Sequence, residues 1–180
     1  GARFGTDVAL VGDINGDGFE DAFVTAPHAA HPDLGIRSGE LWFYPGGPNG
    51  LPVEGVRVPP WSQHTQWDFL RGVEAIGDFN GDGHDDFAVL LSHDERAPVL
   101  GEEFALPEPC TPQRNDQGGI YVFLGGPDIF DLTPDFVYWG LVQGDAPERL
   151  VGGHDFNGDK RDDLAIGSYR RDLGGLSDVG

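Results

Sequence analysis

Basic residues, cysteines and long apolar runs are all scarce in this sequence of 180 residues. Eleven Lys and Arg face 31 Asp and Glu, which gives a formal net charge of −20. Phosphate binding needs a basic face, so we do not expect nucleic acid as a partner. Cys110 is the only cysteine, so no internal disulfide can form, and its thiol is either free or paired outside the chain. No apolar run approaches the roughly 20 residues that cross a bilayer, so no membrane span is predicted.

Long helical periodicity and several catalytic signatures are also missing. The sequence has no nucleophile elbow, no phosphate-binding glycine loop and no Cys pair, and its six histidines show no metal-binding spacing. Twenty-nine glycines and 14 prolines predict many turns between short strands, and 38% hydrophobic residues predict a folded core. No segment resembles a signal peptide. We therefore expect a folded all-β chain that is either a mature product or a piece of a longer protein.

An acidic motif occurs three times, at residues 13–21, 78–86 and 155–163, and each copy reads Asp-x-Asn-x-Asp-x-x-x-Asp. Calcium takes about six to eight oxygen ligands, and a tightly curled loop with oxygen side chains at alternate positions can supply them. The seventh residue of each copy would add its backbone carbonyl. The predicted calcium ligands are therefore Asp13, Asn15, Asp17, Phe19 and Asp21 in the first loop, Asp78, Asn80, Asp82, His84 and Asp86 in the second, and Asp155, Asn157, Asp159, Arg161 and Asp163 in the third.

The residue after the third side-chain ligand must tolerate a positive φ angle. Gly18 and Gly83 fit this position, whereas Lys160 in the third copy would cost about 1 kcal/mol and adds a positive charge. We therefore expect the third site to be the weakest. A metal-free alternative exists, because Asp-Gly and Asn-Gly pairs also form ordinary hairpin turns. Three copies with the same ligand spacing favour the metal, and the flanking apolar runs predict strands rather than the helices of an EF-hand.

A second signature, a strand followed by Gly-Gly-Pro, recurs at residues 39–48 and 118–127. With the acidic loops it defines a unit of four antiparallel strands, which is the size of a propeller blade. The strand that ends each unit is expected at residues 53–58 and 136–139. We expect units at about 4–68, 69–145 and 146–180, the last one truncated. The chain would then hold about two and a half blades of one incomplete propeller, with the remaining blades supplied by a parent chain or by self-association.

The order Phe4-Gly5, Asp13-x-Asn15-x-Asp17-Gly18-x-x-Asp21 and Thr25-Ala26-Pro27 resembles the FG-GAP repeats that build the β-propeller of integrin alpha subunits. The resemblance extends over nearly the whole chain. It implies calcium in the loops between the first and second strands of each blade. It also implies an extracellular or cell-surface setting and a binding role toward a protein or glycan ligand.

The leading hypothesis is therefore a calcium-stabilised adhesion or ligand-binding module rather than an enzyme, because oxygen ligands that fill the shell leave no open catalytic position. A glycan hydrolase or lyase is the first alternative, using the polar insertion at residues 92–117. A lectin that uses exposed aromatic side chains is the second. The candidate acids and base of the enzyme are Asp94, Glu95, Glu102, Glu103 and His93, and the candidate lectin residues are Trp61 and Trp67, with Trp42 and Trp139 expected to pack between blades.

Overall fold

The computed structural model of the chain describes residues 1–29, 39–58, 70–91, 118–127, 134–139 and 147–168. These residues form three antiparallel sheets and contain no helix, so none that could cross a membrane occurs in the described part. The first sheet contains β1 (Val8–Gly12), β2 (Asp21–Ala26), β3 (Glu40–Tyr44) and β4 (Val56–Val58). The second contains β5 (Leu70–Gly77), β6 (Asp86–Leu91), β7 (Gly119–Phe123) and β8 (Phe136–Trp139), and the third contains β9 (Arg149–His154) and β10 (Asp163–Gly167).

In both four-stranded sheets the strands lie side by side in chain order, as in a propeller blade. Consecutive strands are joined as antiparallel neighbours, and each sheet packs its face against the next one along the chain. The arrangement is open, because the three sheets do not close a ring. The expected all-β fold of partial propeller blades is confirmed.

The interface between the first two sheets is a core of aromatic rings. Phe23 on β2 lies between Phe43 on β3 and Phe87 on β6, with ring centroids 5.2 and 4.6 Å apart, and Phe87 stacks on Phe123 of β7 at 4.9 Å. All four rings are buried. Aromatic pairs of this kind contribute about 0.5–1.5 kcal/mol each beyond the burial of apolar area. Alternation along β6 directs Phe87 and two aliphatic partners to this face, Val89 and Leu91.

The other side of the second sheet packs against the third sheet. Ala88 and Leu90 alternate with the residues of the first core along β6, and they join Ile76, Ile120 and Leu150 in a second aliphatic cluster. Every residue of β6 and β7 is therefore buried, and apart from Asp86 at the start of β6 both strands carry apolar or aromatic residues. This explains why their sequences lack the polar alternation of strands that face water on one side.

One strand is shorter than the sequence predicts. The run at residues 53–58 is expected to form one strand, but β4 begins only at Val56, and Val53 is 99% exposed. The preceding Gly55 lies so close to the ring of Tyr44 that a Cβ there would be 2.6 Å from two ring carbons. The chain bends at residues 53 and 54 and joins the sheet after Gly55. By contrast, β8 occupies residues 136–139 as expected.

The boundaries between the expected repeat units stay predictions, because residues 68–69 and 145–146 lie outside the described ranges. The insertion at residues 92–117, with Cys110, also lies outside them. So do the candidate enzyme residues Asp94, Glu95, Glu102, Glu103 and His93 and the candidate lectin residues Trp61 and Trp67.

Candidate metal centres

Each acidic loop connects the first two strands of a sheet, between β1 and β2, β5 and β6, and β9 and β10. An irregularity in the strand pairing lies where the first strand enters the loop, as in a β-bulge. A glycine with positive φ lies at each irregularity. Gly12 (74°) and Gly77 (65°) directly precede the first aspartate of their loops, and Gly153 (74°) lies two residues before Asp155. Only glycine adopts such angles without cost. The bulge turns the chain so that the first aspartate of the motif points into the loop.

The first aspartate of each motif organises the turn around itself. Asp13 Oδ1 accepts the N–H of Asp17 at 2.9 Å, and its Oδ2 accepts the N–H of Gly18 at 2.8 Å. Asp78 and Asp155 make the same two contacts in their own loops, at 2.9 and 2.9 Å and at 3.1 and 2.8 Å. The three loops therefore share these hydrogen bonds, and their common sequence motif corresponds to a common local structure.

The sixth residue of every loop has a left-handed backbone conformation. The φ angle is 91° at Gly18, 94° at Gly83 and 73° at Lys160. The expected left-handed conformation at Lys160 is confirmed, and a residue with a Cβ pays about 1–2 kcal/mol in this region. The third loop keeps the geometry of the other two at this cost.

The closing aspartates of the first two loops are buried between strands. Asp21 and Asp86 are both 0% exposed. Asp21 Oδ1 accepts the N–H of Gly46 at 2.7 Å, and Asp86 Oδ1 accepts the N–H of Gly125 at 2.7 Å. In the third loop Asp163 is partly exposed, and its Oδ1 accepts Asn157 Nδ2 at 3.1 Å.

These contacts give the Gly-Gly-Pro signature a role that the sequence analysis missed. A Cβ on Gly46 would clash with the carbonyl oxygen of Glu20, and one on Gly125 would clash with that of Asp85. The first glycine of the signature is therefore required so that the backbone can approach the loop and donate its N–H to the closing aspartate. The signal was visible as a repeat that occurs once after each of the first two acidic loops.

Burial leaves the closing carboxylates poorly compensated. Desolvation raises the pKa of Asp86 to about 6, although N–H donors from Gly125, Phe79 and Asn80 lower it. Desolvation also raises the pKa of Asp21, and the nearby charges of Asp17 and Asp13 add to the effect. The N–H groups of Gly46 and Ile14 lower the pKa of Asp21 again, but its buried Oδ2 accepts no hydrogen bond of good geometry. A buried carboxylate oxygen without a partner is costly, and a cation at this position would offset the cost.

The pKa values of two more exposed loop acids move in the opposite direction. The side-chain amide of Asn80, followed by the N–H of His84, lowers the pKa of Asp82. The N–H of Lys160 has the largest part in lowering the pKa of Asp155. These two groups are ionised at neutral pH, so the second and third loops carry negative charge at exposed positions.

Comparison with known proteins agrees with this repeated geometry. The sequence profile of the FG-GAP repeat matches residues 4–38. Integrin alpha-PS2 of Drosophila melanogaster is 30% identical over 186 aligned residues that cover 96% of this chain. The chain belongs to the FG-GAP repeat family. Integrin alpha-4 of Xenopus laevis is 28% identical over 178 residues that cover 89% of this chain, and integrin alpha-PS3 of Drosophila melanogaster is 36% identical over 93 residues. The FG-GAP chain spans only 12%, 15% and 8% of these three relatives, respectively.

The FG-GAP loops offer a cation oxygen donors only. Within the described ranges, no three side chains drawn from Asp, Glu, His and Cys converge into a metal site. The loop carboxylates bind backbone N–H groups instead, and part of each predicted ligand set is an Asn side chain and a backbone carbonyl. The oxygen-only donor set matches a hard cation such as calcium. The unpartnered Asp21 Oδ2 fits such an ion in the first loop.

The two tryptophans expected to pack between blades lie in β3 and β8 of the FG-GAP chain. Trp42 is partly buried, its ring meets that of Phe4 edge to face at 5.9 Å, and its Nε1 donates to Glu40 at 3.1 Å. Trp42 therefore packs within the first sheet and its N-terminal segment. The backbone of Trp139 pairs with Gly119 at the edge of the second sheet.

Proposed function

We propose that this FG-GAP chain is an extracellular, calcium-binding propeller module for adhesion or ligand binding, in which calcium has a structural role. The ligands would be the fifteen loop residues named in the sequence analysis. The ion would supply a positive charge that neutralises clustered carboxylates. It would thereby hold the first two strands of a sheet together at one end. Similarity to integrin alpha subunits supports a binding role toward a protein partner.

The observation that carries the proposal is the buried Oδ2 of Asp21 in the first loop, which accepts no hydrogen bond of good geometry beside two further aspartates. Three aspartates in one turn also repel each other unless a cation compensates them. Calcium binding to the folded state alone then stabilises the fold by mass action, by about 2.7 kcal/mol at a free concentration 100 times the Kd.

Thermal unfolding in calcium and in a chelator tests the calcium role. We expect calcium to raise the melting temperature and magnesium at the same concentration to raise it less, because magnesium demands a stricter geometry and loses water reluctantly. Asp17→Ala should reduce the calcium response. Glu20→Ala is the matched control, because Glu20 is an exposed acid in the same loop but is not a predicted ligand. A melting temperature that does not respond to calcium would sink the proposal.

The binding face is a separate question from the metal loops. A charged cavity of about 300 Å³ lies at the opposite ends of β1, β5 and β9, lined by Asp7, Arg71, Glu74, Glu148 and Arg149. Both signs of charge meet there, which suits a polar protein surface better than an apolar ligand. Binding of the immobilised chain to an array of extracellular matrix proteins, in parallel with a glycan array, distinguishes an adhesion module from a lectin. A signal on glycans alone would favour the lectin.

A further inference from the structure

The acidic loops of neighbouring sheets are joined by a hydrogen bond that repeats at both interfaces. Asp85 Oδ2, in the second loop, accepts the N–H of Asp13 in the first loop at 2.9 Å. Asp162 Oδ2, in the third loop, accepts the N–H of Asp78 in the second loop at 3.0 Å. Asp85 and Asp162 have the same place in the motif, directly before the closing aspartate. Each acceptor thus reaches the first predicted ligand of the preceding sheet.

The backbone at each junction is shaped for this carboxylate. A Cβ added to Gly12 would clash with the carboxyl group of Asp85, and a Cβ added to Gly77 would clash with that of Asp162. Both glycines also have positive φ angles. The second junction carries an additional bond, from the N–H of Asp162 to the carbonyl of Asp78 at 3.1 Å. A loop without the bulge glycine would have no space for its neighbour's carboxylate.

The seventh residue of each following loop adds a second contact at the same place. The ring of His84 lies against Gly16, and the side chain of Arg161 lies against Gly81, 3.2 Å from the position of a Cβ. Gly16 and Gly81 are the fourth residues of their loops. In the third loop the corresponding residue, Gly158, has nothing within 4 Å of a Cβ position in the described part of the chain. The first and second loops are therefore each contacted at their fourth residue by a side chain of the next loop.

We propose that Asp85 and Asp162 are positioning residues for the calcium loop of the preceding sheet. This inference rests on the proposed function. By fixing the N–H of Asp13 or Asp78, each carboxylate orients the first ligand of its neighbour and adds negative charge beside that site. Loss of a residue that orients a metal ligand in this way typically weakens metal binding about 10- to 100-fold. Each blade thus prepares the metal site of the blade before it.

Calcium titration of a chain with one intact loop tests the proposal. Asp82→Ala and Asp159→Ala, introduced together, leave only the first loop able to bind, and isothermal titration calorimetry measures its Kd. Adding Asp85→Ala should weaken calcium binding by about 10-fold. Asp85→Asn, which keeps an oxygen acceptor, should stay within about 3-fold of the parent. The matched control is Glu20→Ala, because Glu20 is the equivalent residue of the first loop itself.

The outcomes separate the proposal from its foundation. No calcium binding by the single-loop parent would refute the proposed function, whatever Asp85 does. Binding that is unchanged by Asp85→Ala, or equally weakened by Glu20→Ala, would overturn the positioning role alone. A second readout needs no metal: amide hydrogen exchange at Asp13 in calcium-free protein should become faster in Asp85→Ala and not in Glu20→Ala. An unchanged exchange rate at Asp13 would contradict the hydrogen bond on which the proposal depends.

Discussion

In calcium-free protein, Asp86 should make the fold less stable as the pH rises from about 4 to about 7. Its carboxyl group is fully buried, and burial raises its pKa to about 6 in the folded state, against an ordinary value of 3.8. The folded state therefore holds this proton more tightly than the unfolded state does. The resulting stability is fully present below about pH 4 and is lost as the pH rises through about 6. The difference between the two pKa values corresponds to about 3 kcal/mol.

Urea unfolding of calcium-stripped protein between pH 4 and pH 8 measures this contribution. The matched variant is Asp86→Asn, which has no titrating group at this site. Asn offers fewer acceptors to the N–H groups of Phe79 and Gly125, so it carries a pH-independent cost of about 1–3 kcal/mol. Only the pH dependence of the difference between the two proteins matters, because the other acids then cancel. The free energy of unfolding of the parent, relative to the variant, should fall by about 2.5 kcal/mol over this range, which begins slightly above the unfolded pKa.

Calcium should reverse the trend, because the ion binds the ionised carboxylate and competes with the proton. In saturating calcium the parent should gain stability relative to Asp86→Asn as the pH rises. In calcium-free protein, a stability difference that is flat or that rises with pH would refute the argument that desolvation of Asp86 outweighs its three N–H donors. Carbon-13 NMR of the Asp86 carboxyl group gives an independent measurement, with a midpoint expected near pH 6.

Three further predictions concern single loops. Lys160→Gly should stabilise the chain by about 1 kcal/mol, because it removes the left-handed strain at φ 73°; chemical denaturation checks this, and a loss of stability would contradict it. Gly16→Ala should lower the melting temperature more than Gly158→Ala does. Both glycines have similar positive φ angles, but of the two Gly16 alone lies against the ring of His84. Equal losses of melting temperature would argue against the packing between these loops. Asp82→Ala should lower the calcium stoichiometry by one ion per chain, as measured by equilibrium dialysis, and an unchanged stoichiometry would remove the second loop from the set of sites.

Local patterns in the sequence predicted the strands and the loops well. Runs such as Phe87 to Leu91 are apolar at every position, as expected of a strand that is buried on both faces. Turn residues mark where such runs end. The left-handed angle at Lys160 followed from its alignment with Gly18 and Gly83. These features depend on neighbours within a few residues, so a single sequence contains the information.

Contacts between distant residues were not predictable in the same way. Asp85 and Asp13 are 72 residues apart, and Asp162 and Asp78 are 84 apart, so only the packing of sheets brings them together. The close approach of Gly55 to the ring of Tyr44, directly before β4, is likewise not visible in the sequence. Hydrophobic pattern cannot reveal such contacts, because it records burial and not the identity of the neighbour.

A crystal structure of the chain grown in calcium tests the central claim most directly. The account predicts difference density for an ion in the first and second loops. Oxygens of Asp13, Asp17 and Asp21 should lie about 2.3–2.6 Å from the first ion, with a weaker feature in the third loop. Well-ordered first and second loops with water or nothing between their carboxylates, at saturating calcium, would contradict it.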